Sequence, residues 1–343
     1  MRLALDAMGG DLAPRAPVEG AVLFAREVPS HQVVLVGDER ALRPLLEGVR
    51  GGRPPNVSLR HASEVVAMEE HPAQAIRKKK DSSLRVCFEL MAKGEAEAMV
   101  SAGSSGAVMA GALLVLGRVK GVERPAIATL FPALRGEGRC LLLDAGANVE
   151  CKASQLAQFA VMGAAYVHRV LKVARPRVGL LSNGEEDTKG TPLTREALAL
   201  LRQSDLDFKG YVEGKDIFSG KVEVVVTDGF TGNVVLKTSE GTAMAVAGLL
   251  RSAVKKAGLS EKLGALLLGP TFAGLQRVVD YAEYGGAPLL GVDGVGIVAH
   301  GRSSPKAIKN ALQTALRTAE VGLRGELAAA IARAAAWLPR GPA

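Results

Sequence analysis

"VEVVVTDGFTGNVVLK", residues 222–237, joins a valine-rich run to a polar turn and then to a second apolar segment. The valines are typical of a strand covered on both faces of a parallel sheet. Asp228 and two glycines then favour a tight turn, and the residues after them predict a helix with Asn233 near its cap. Lys237 follows four residues later, on the same face of that helix. The stretch therefore predicts a strand, a loop and a helix in succession.

The same alternation recurs along the chain. Segments with helical spacing, such as residues 81–94, separate several of the apolar, β-branched runs. These runs begin at Arg2, Gln32, Ala98, Ala126, Cys140, Arg177, Val222 and Val295. We therefore expect a doubly wound, three-layer α/β/α protein with a mostly parallel sheet, forming one unit over residues 1–343.

Composition narrows the possible functions. The 343 residues are 48% hydrophobic, enough for a large core, and only 4% aromatic, which argues against base stacking on nucleic acid. Lys and Arg outnumber Asp and Glu by 43 to 35, a net charge of +8 that suits an acidic partner, a phosphorylated substrate, an anionic membrane or simply a soluble basic surface. Three cysteines without metal-ligand spacing, and no signal peptide at the start, favour a reducing cytosol.

Two apolar stretches invite a membrane interpretation. The charge-free run 98–117 contains "SAGSSG", which predicts instead a strand, a turn and a buried helix beginning near Ser105. The second stretch lies in a protruding helix-turn-helix that we expect over residues 239–282, where basic residues flank an apolar tip. This tip fits core or dimer packing and contact with an anionic bilayer about equally well. The residues expected at a membrane contact are Leu266, Leu267, Leu268 and Phe272.

Polar, glycine-rich loops follow the predicted strands. The carboxyl ends of parallel strands share one edge of an open sheet, where ligands bind. Glycines there let backbone N–H groups approach a ligand, and helix N-termini attract negative charge. The loops open at Asp6, Ser101, Asp144, Ser182, Asp228 and His300. We therefore expect one pocket for a phosphate or an oxyanion. Its predicted contacts are Asp6, Gly9, Gly10, Lys80, Ser101, Gly103, Ser104, Ser105, Gly106, Asn148, Gly229 and Gly232.

Several of these residues also fit structural roles. Asn233 fits a helix cap with Lys237 solvated, and His300 fits a structural hydrogen bond as well as a catalytic one. The run "RKKKD" at residues 77–81 is typical of a solvated charged surface, yet it directly precedes a helix start and suits an anion there. The convergence of six loops on one edge favours the functional interpretation.

The common catalytic motifs are absent from the sequence. It has no G-x-G-x-x-G after the first strand, no Walker A motif, no H-E-x-x-H and no G-x-S-x-G. Nucleotide binding, zinc hydrolysis and Ser-triad hydrolysis are therefore disfavoured, and we expect neither a metal nor a cofactor.

At these loops the chain resembles the acyl-ACP:phosphate acyltransferase (PlsX) family. The matching segments occur in family order over nearly the whole chain, and one departure is Ser104-Ser105, where the family usually has Asn-Thr. The segments are "DAMGGD" from Asp6, "IRKKKDSS" from Ile76, "SAGSSGAVMA" from Ser101, "RPAI" from Arg124, "LLDAGANVE" from Leu142, "GEEDTKGT" from Gly184, "VEGKDI" from Val212, "DGFTGNVVLKTSEG" from Asp228 and "YGGAPLLGVDGVGIVAHG" from Tyr284.

The resemblance implies a Rossmann-like fold of the isocitrate/isopropylmalate dehydrogenase and phosphate acetyltransferase group. It implies transfer of a long-chain acyl group from acyl carrier protein to inorganic phosphate, giving acyl phosphate for phospholipid synthesis. The implied protein is a cytoplasmic homodimer in peripheral contact with the inner face of the membrane or with a membrane-bound glycerol-3-phosphate acyltransferase. A short-chain phosphate acetyltransferase, an NAD-dependent dehydrogenase and a non-catalytic membrane or nucleic-acid adaptor are the alternatives.

Within that implied reaction, roles follow from residue type and placement. Lys80, Lys189 and Lys237 are the candidates for neutralising charge. The loop 101–106 is expected to bind phosphate, with Asn148 and Asn233 at the carbonyl or oxyanion and with Asp228 and His300 orienting these groups or moving a proton. The residues expected to be catalytic are Asn233, Lys237, Asp228, His300 and Lys189.

Overall fold

The computed structural model describes residues 1–136, 138–269 and 285–339. Its strands are β1 (Arg2–Asp6), β2 (Gln32–Gly37), β3 (Val57–His61), β4 (Ala98–Ser101), β5 (Ala126–Pro132), β6 (Arg139–Leu143), β7 (Arg177–Leu181), β8 (Asp207–Val212), β9 (Val224–Val226), β10 (Ala287–Leu290) and β11 (Gly296–Val298). Its helices are α1 (Arg15–Glu27), α2 (Glu39–Glu47), α3 (Pro72–Lys78), α4 (Ser83–Ala92), α5 (Ser105–Val115), α6 (Ala153–Leu171), α7 (Pro192–Leu201), α8 (Asp216–Ser219), α9 (Gly229–Lys256), α10 (Leu259–Leu267), α11 (Pro305–Glu320) and α12 (Leu323–Ala334).

The strands form one 11-stranded sheet in the order β3-β2-β1-β4-β11-β10-β5-β6-β9-β7-β8. Strands β3, β2, β1, β4 and β11 are mutually parallel, as are β6, β9, β7 and β8. The three junctions between these halves, β11–β10, β10–β5 and β5–β6, are antiparallel. Three reversals make the two halves run in opposite directions. The expectation that all six loops leave one edge of the sheet is therefore wrong: the loops after β1, β4 and β11 leave one way and those after β6, β7 and β9 the other.

The pairing register nevertheless keeps the two sets of strand ends at similar heights. Following the pairs from β4 through β11, β10 and β5 to β6 puts Asp144 level with Met99. Since Met99 precedes Ser101 by two residues, Asp144 and Ser101 differ in height by about 7 Å. Across the sheet they are separated by four strand spacings, about 19 Å. Loops and helices, rather than the strands themselves, must bridge that interval.

Helices cover both faces of each half, as a three-layer α/β/α architecture requires. In the first half, α1, α2 and α11 pack on one face and α3, α4 and α5 on the other. In the second half, α6, α7 and α12 cover one face, while α8 and the start of α9 cover the other. The apolar, weakly alternating strand sequences fit this two-sided burial.

Helix boundaries agree with the local sequence signals. Helix α4 begins after Ser82 and ends before Gly94, whose φ of 70° suits only glycine without strain. Helix α5 begins at the predicted Ser105. The predicted break near Ala257 separates α9 from α10, although α9 already begins at Gly229, ten residues before the start expected for the helix-turn-helix. No helix among the described residues is both long enough and apolar enough to cross a membrane.

The residues expected at a membrane contact divide between described and undescribed parts of the chain. Leu266 and Leu267 are each 74% exposed, and Leu268 is 51% exposed. Phe272 lies outside the described residues, as does the end of the predicted helix-turn-helix.

Candidate functional site

The ends of β1 and β4 are joined by a buried hydrogen bond. The Ser101 hydroxyl donates to Asp6 Oδ2 at 2.6 Å and accepts from the backbone N–H of Gly103 at 3.0 Å. Asp6 is 2% exposed and Ser101 is fully buried. Burial raises the pKa of Asp6, while hydrogen bonds from the hydroxyls of Ser101 and Ser83 lower it. Because their polar atoms are occupied and covered, Asp6 and Ser101 hold the loop 101–106 in place rather than present themselves to a ligand.

Two glycines permit this close approach of the loops. A Cβ on Gly9 would lie 2.6 Å from Asp6 Oδ2 and 2.8 Å from the backbone nitrogen of Gly103. Gly10 has a φ of 97°, and its Cβ would lie 2.9 Å from the carbonyl oxygen of Gly301. Gly9 and Gly10 are therefore required for packing between these loops, and Gly103 lies beside them.

The first turn of α5 is the open part of this group. Ser105 and Gly106 are exposed, and Ser104 at the N-cap makes no side-chain capping bond. The backbone N–H groups at the start of a helix lack partners within it and carry partial positive charge. Residues 104–106 therefore present donors to an anion, whereas the N–H of Gly103 is already bonded to Ser101.

His300 stands in the adjoining loop after β11. Its Nδ1 accepts from the backbone N–H of Arg302 at 3.1 Å, so the neutral ring carries its proton on Nε2. The next residue, Gly301, accepts from the N–H of Asp11 at 2.7 Å, which ties this loop to the one after β1. His300 therefore belongs to the same group as Asp6 and Ser101, with a structural hydrogen bond on one side of its ring.

The second group is built around Asp144, which is fully buried at the end of β6. Its Oδ1 accepts from three backbone N–H groups, those of Ile127, Gly146 and Ala147, at 3.0 to 3.1 Å. Its Oδ2 accepts from the backbone N–H of Asn148 at 2.7 Å and from the side-chain Nδ2 at 2.8 Å. Burial raises the pKa of Asp144, and these N–H groups oppose the rise by stabilising the carboxylate.

This carboxylate also fixes the orientation of Asn148. The Asn148 Nδ2 donates both to Asp144 and to the carbonyl oxygen of Pro125, at 2.8 Å each. Both amide protons are thereby used, so the geometry disfavours Asn148 as an oxyanion donor. The backbone carbonyl oxygen of Asn148 accepts from the N–H of Gly229, and this bond attaches α9 to the loop.

Asp228, rather than Asn233, caps α9. Its Oδ1 accepts from the N–H of Thr231 and its Oδ2 from the Thr231 hydroxyl, both at 2.9 Å. A Cβ on Gly229 would lie 2.6 Å from the carbonyl oxygen of Asn148, and one on Gly232 would overlap the carbonyl oxygen of Asp144. The two glycines at the helix start are required for this close contact between α9 and the loop after β6.

Asn233 lies at the second turn of α9, exposed and against Gly146. The expectation that Asn233 lies near the cap is wrong, because the helix begins four residues earlier, at Gly229. Its side chain is therefore released from capping and accessible to a ligand. A Cβ on Gly146 would lie 3.5 Å from the Asn233 Cβ and Cγ.

The three candidate lysines occupy different surroundings. Lys237, one turn beyond Asn233, pairs with Glu240 at 2.8 Å and is 54% exposed in its side chain. Lys189 is exposed in the loop after β7, where it packs on Gly184. Lys80 lines a recess between β3 and α4 together with Arg60 and Lys93. Of the three lysines, only Lys237 lies on the same helix as another candidate residue, Asn233.

The thiol of Cys151 lies beside this second group and donates to the carbonyl oxygen of Asn148 at 3.5 Å. Burial, followed by the nearby Asp144, raises its pKa to about 12. Cys151 is therefore protonated at neutral pH and is a poor nucleophile.

Residues of both groups border one apolar cluster. Ala145 shares a buried apolar cluster with Ala107, Val108 and Ala112 of α5, and Ala147 and Leu236 pack against the same cluster. The loop after β6 and the second turn of α9 thus border the same apolar cluster as the helix whose first turn is open to an anion. Sequence reasoning missed Ser83 and Gly146. It named Asp144 only as a loop opening, although "DAG" after an apolar run is the signal that marks it.

A family model described as "Fatty acid synthesis protein" matches residues 1–324. A protein named phosphate acyltransferase from Myxococcus xanthus (strain DK1622) is 69% identical over 343 residues, which is 100% of this chain and 97% of that protein. One of the same name from Geobacter sulfurreducens is 53% identical over 332 residues, covering 96% of this chain and 93% of that protein.

Solved structures with a similar fold are much more distant in sequence. A phosphotransacetylase from Streptococcus pyogenes has a TM-score of 0.63 at 17% identity, covering 93% of this chain and 94% of that one. A branched-chain phosphotransacylase from Enterococcus faecalis V583 has a TM-score of 0.53 at 14% identity, covering 93% and 99%. A 4-hydroxythreonine-4-phosphate dehydrogenase from Klebsiella pneumoniae also has a TM-score of 0.53, at 12% identity, covering 93% and 97%. These likenesses confirm the expected fold group.

Proposed function

Because the chain belongs to the phosphate acyltransferase family of fatty acid synthesis proteins, we propose that its donor is a long-chain acyl thioester of acyl carrier protein. The acyl group passes to inorganic phosphate, and the acyl phosphate serves phospholipid synthesis. The chain is an acyltransferase. The observation that carries the proposal is the open first turn of α5, which is held by the Asp6–Ser101 bond and belongs to a helix that shares an apolar cluster with the loop after β6.

The reaction needs little from the protein besides position and charge. A phosphate oxygen attacks the thioester carbonyl carbon, and a C–O bond forms as the carbonyl oxygen becomes an oxyanion. The oxyanion collapses, the C–S bond breaks, and the thiolate leaves with the electron pair and takes a proton from solvent. Phosphate is already a nucleophile at neutral pH, and the protonated Cys151 gives no support for an acyl-enzyme.

Each group of residues has a role in this scheme. The N–H donors of residues 104–106 hold phosphate for attack. Asn233 donates to the oxyanion, and Lys237 supplies positive charge one turn away. Asp144 and Asp228 act through other groups, by fixing the loop that carries Asn148 and the start of α9.

Assembly and location are part of the same proposal. Helix α9 exposes a series of large apolar residues, which supports pairing with a second copy of the chain. They are Phe230, Val234, Met244, Val246, Leu249, Leu250 and Val254. Leu266 to Leu268, exposed after a basic helix end at Lys255 and Lys256, support peripheral contact with the inner face of the membrane or with a membrane-bound glycerol-3-phosphate acyltransferase.

A phosphate-dependent thioester assay tests the reaction. Purified protein is mixed with long-chain acyl carrier protein, with and without inorganic phosphate, and both free thiol and acyl phosphate are measured. We expect one acyl phosphate for each thiol released, and no release without phosphate. Thiol release at the same rate with and without phosphate would refute the proposal.

A short-chain acetyl donor is the second candidate, because the similar structures include a phosphotransacetylase. Replacing the donor by acetyl-CoA separates the two. Faster turnover of acetyl-CoA than of the long-chain carrier thioester would favour this second reaction.

A further inference from the structure

We propose that the recess between β3 and α4 binds the phosphate of the donor's pantetheine arm, while the first turn of α5 binds the phosphate that reacts. The recess is lined by Arg60, His61, Lys80, Asp81, Val86, Glu89, Leu90 and Lys93. This inference rests on the proposed thioester donor. Carrier protein and coenzyme A both present this phosphate on the same arm, so the chemistry recognised is shared.

The acidic residues of the recess are already committed elsewhere. Asp81 accepts from the backbone N–H of Ser63 at 2.8 Å and from its hydroxyl at 2.6 Å, and the hydroxyl is the main reason that the pKa of Asp81 lies below its usual range. Glu89 accepts from Arg85 Nε at 2.9 Å on the same helix. Both carboxylates make their hydrogen bonds to residues outside the recess, although Arg60 and His61 lie near enough to Asp81 to lower its pKa further.

The cations, by contrast, are available. Within the described part of the chain, Arg60, Lys80 and Lys93 have no carboxylate within ion-pair distance. His61 adds a donor, since its Nδ1 accepts from the N–H of Glu39 at 3.3 Å and the neutral ring then carries its proton on Nε2. Three cations and one N–H around a small recess match the many acceptor oxygens of a phosphate.

The dimensions favour a compact anion. The recess has a volume of about 90 Å³, with Val86 and Leu90 contributing apolar walls. That volume holds several water-sized groups and is much too small for a protein helix. A phosphate fits it, whereas an acidic helix of a carrier protein would have to bind across the surface outside it.

Position links the recess to the site. β3 lies two strand spacings from β1, about 10 Å, and His61 is one residue beyond the height of Asp6. Helix α4, which forms one wall of the recess, begins at Ser83, whose hydroxyl lowers the pKa of Asp6. One helix therefore borders both places, and an extended arm can have its phosphate in the recess and its sulfur near the cradle.

Calorimetry on the full chain tests this without requiring turnover. The probes are 4′-phosphopantetheine and pantetheine, which differ only in the phosphate. The recess variant is Arg60→Gln with Lys93→Gln. The control is Arg169→Gln with Arg175→Gln, two exposed cations elsewhere that give the same change in net charge. We expect the recess variant to weaken 4′-phosphopantetheine binding about tenfold, while the control and all pantetheine measurements stay unchanged.

Carrier protein with and without its arm identifies the source of the effect. The recess variant should weaken binding of the arm-bearing form and of coenzyme A, and leave binding of the armless form as it is. Equal weakening of both carrier forms would show a protein-docking surface and overturn the proposal. Equal binding of 4′-phosphopantetheine to the variant and to the native protein would also overturn the proposal. So would the absence of binding to either protein. The phosphate-dependent assay decides the reaction separately.

Discussion

Asp144→Asn is the substitution for which the structure gives the sharpest expectation. The native carboxylate accepts five N–H bonds, three at Oδ1 and two at Oδ2. An asparagine offers one acceptor oxygen and one NH₂ group in the same space. Whichever way the amide turns, at least two N–H donors then face another N–H donor. The loop 144–148, on which α9 rests, is therefore held less firmly.

The expected loss of stability follows from the smaller of the two sets of hydrogen bonds, the two at Oδ2. In the better orientation, the two donors of Asn148 lose their acceptor in a fully buried site. Each unsatisfied buried donor costs about 1 to 3 kcal/mol, so the free energy of unfolding should fall by about 2 to 6 kcal/mol. At about 2.1 cal/mol/K of unfolding entropy per residue, a chain of 343 residues would then show a decrease in Tm of roughly 3 to 8 °C.

Asp228→Asn is the matched control. It is the same substitution, two residues after the end of β9, but asparagine caps a helix about as well as aspartate. Differential scanning calorimetry of both variants should therefore show a large decrease in Tm for Asp144→Asn and a decrease below about 2 °C for Asp228→Asn. Equal decreases, or a native Tm for Asp144→Asn, would refute the argument from hydrogen-bond counting. Asp228→Asn should also keep its activity if Asp228 acts only as a cap.

Three further changes test the site, its protonation and its surface. Asn233→Ala should lower kcat by about 10²- to 10³-fold if this side chain stabilises the oxyanion. The control Thr238→Ala, at an exposed position of the same helix, should leave kcat unchanged. Equal kcat values for the two variants would show that Asn233 does not stabilise the oxyanion. Burial raises the pKa of Asp6, so its stabilising effect is complete below about pH 4 and is lost as pH rises through the raised value. The Tm of Asp6→Asn relative to the native protein should accordingly increase between about pH 4 and pH 7 in thermal scans, and a constant difference would contradict the raised pKa. Leu266→Asp with Leu267→Asp should abolish sedimentation with anionic vesicles, and unchanged sedimentation would count against membrane contact.

The strands that sequence reasoning found and missed differ in burial. All eight runs identified as apolar contain a strand. Of the three missed strands, β3 and β8 are the two edges of the sheet, where one side has no neighbouring strand and polar residues are tolerated. The third, β10, is a four-residue antiparallel strand that contains Pro288. Pattern recognition based on continuous apolar residues works for central strands and fails for these.

The residues of the site were easier to identify than their roles. The apolar run followed by "DGFTGN" correctly places a turn and a helix, but whether Asp228 or Asn233 is the cap depends on where the first helical turn begins. The sequence also did not show which of these residues are buried. Asp6 and Ser101 occur in the expected loops, yet the 2.6 Å bond between them shows that they support the cradle from beneath. A sequence gives the residue types around a ligand more readily than which atoms are already bonded.

Strand direction has no local signature, and it decides at which height each of the two groups lies. The strand ends of the second half lie about 7 Å below Ser101, because that half runs the opposite way. Helix α9 starts at that lower level, and Leu236 in its second turn packs against two apolar clusters, one of which contains residues of α5. A helix returning along the sheet rises 1.5 Å per residue, so it would lift Asn233 by about 6 Å and Lys237 by about 12 Å from Gly229. A rise of that size is comparable to the stagger of about 7 Å, and it would place the amide and the ammonium nearer the level of Ser101 than the capping carboxylate of Asp228.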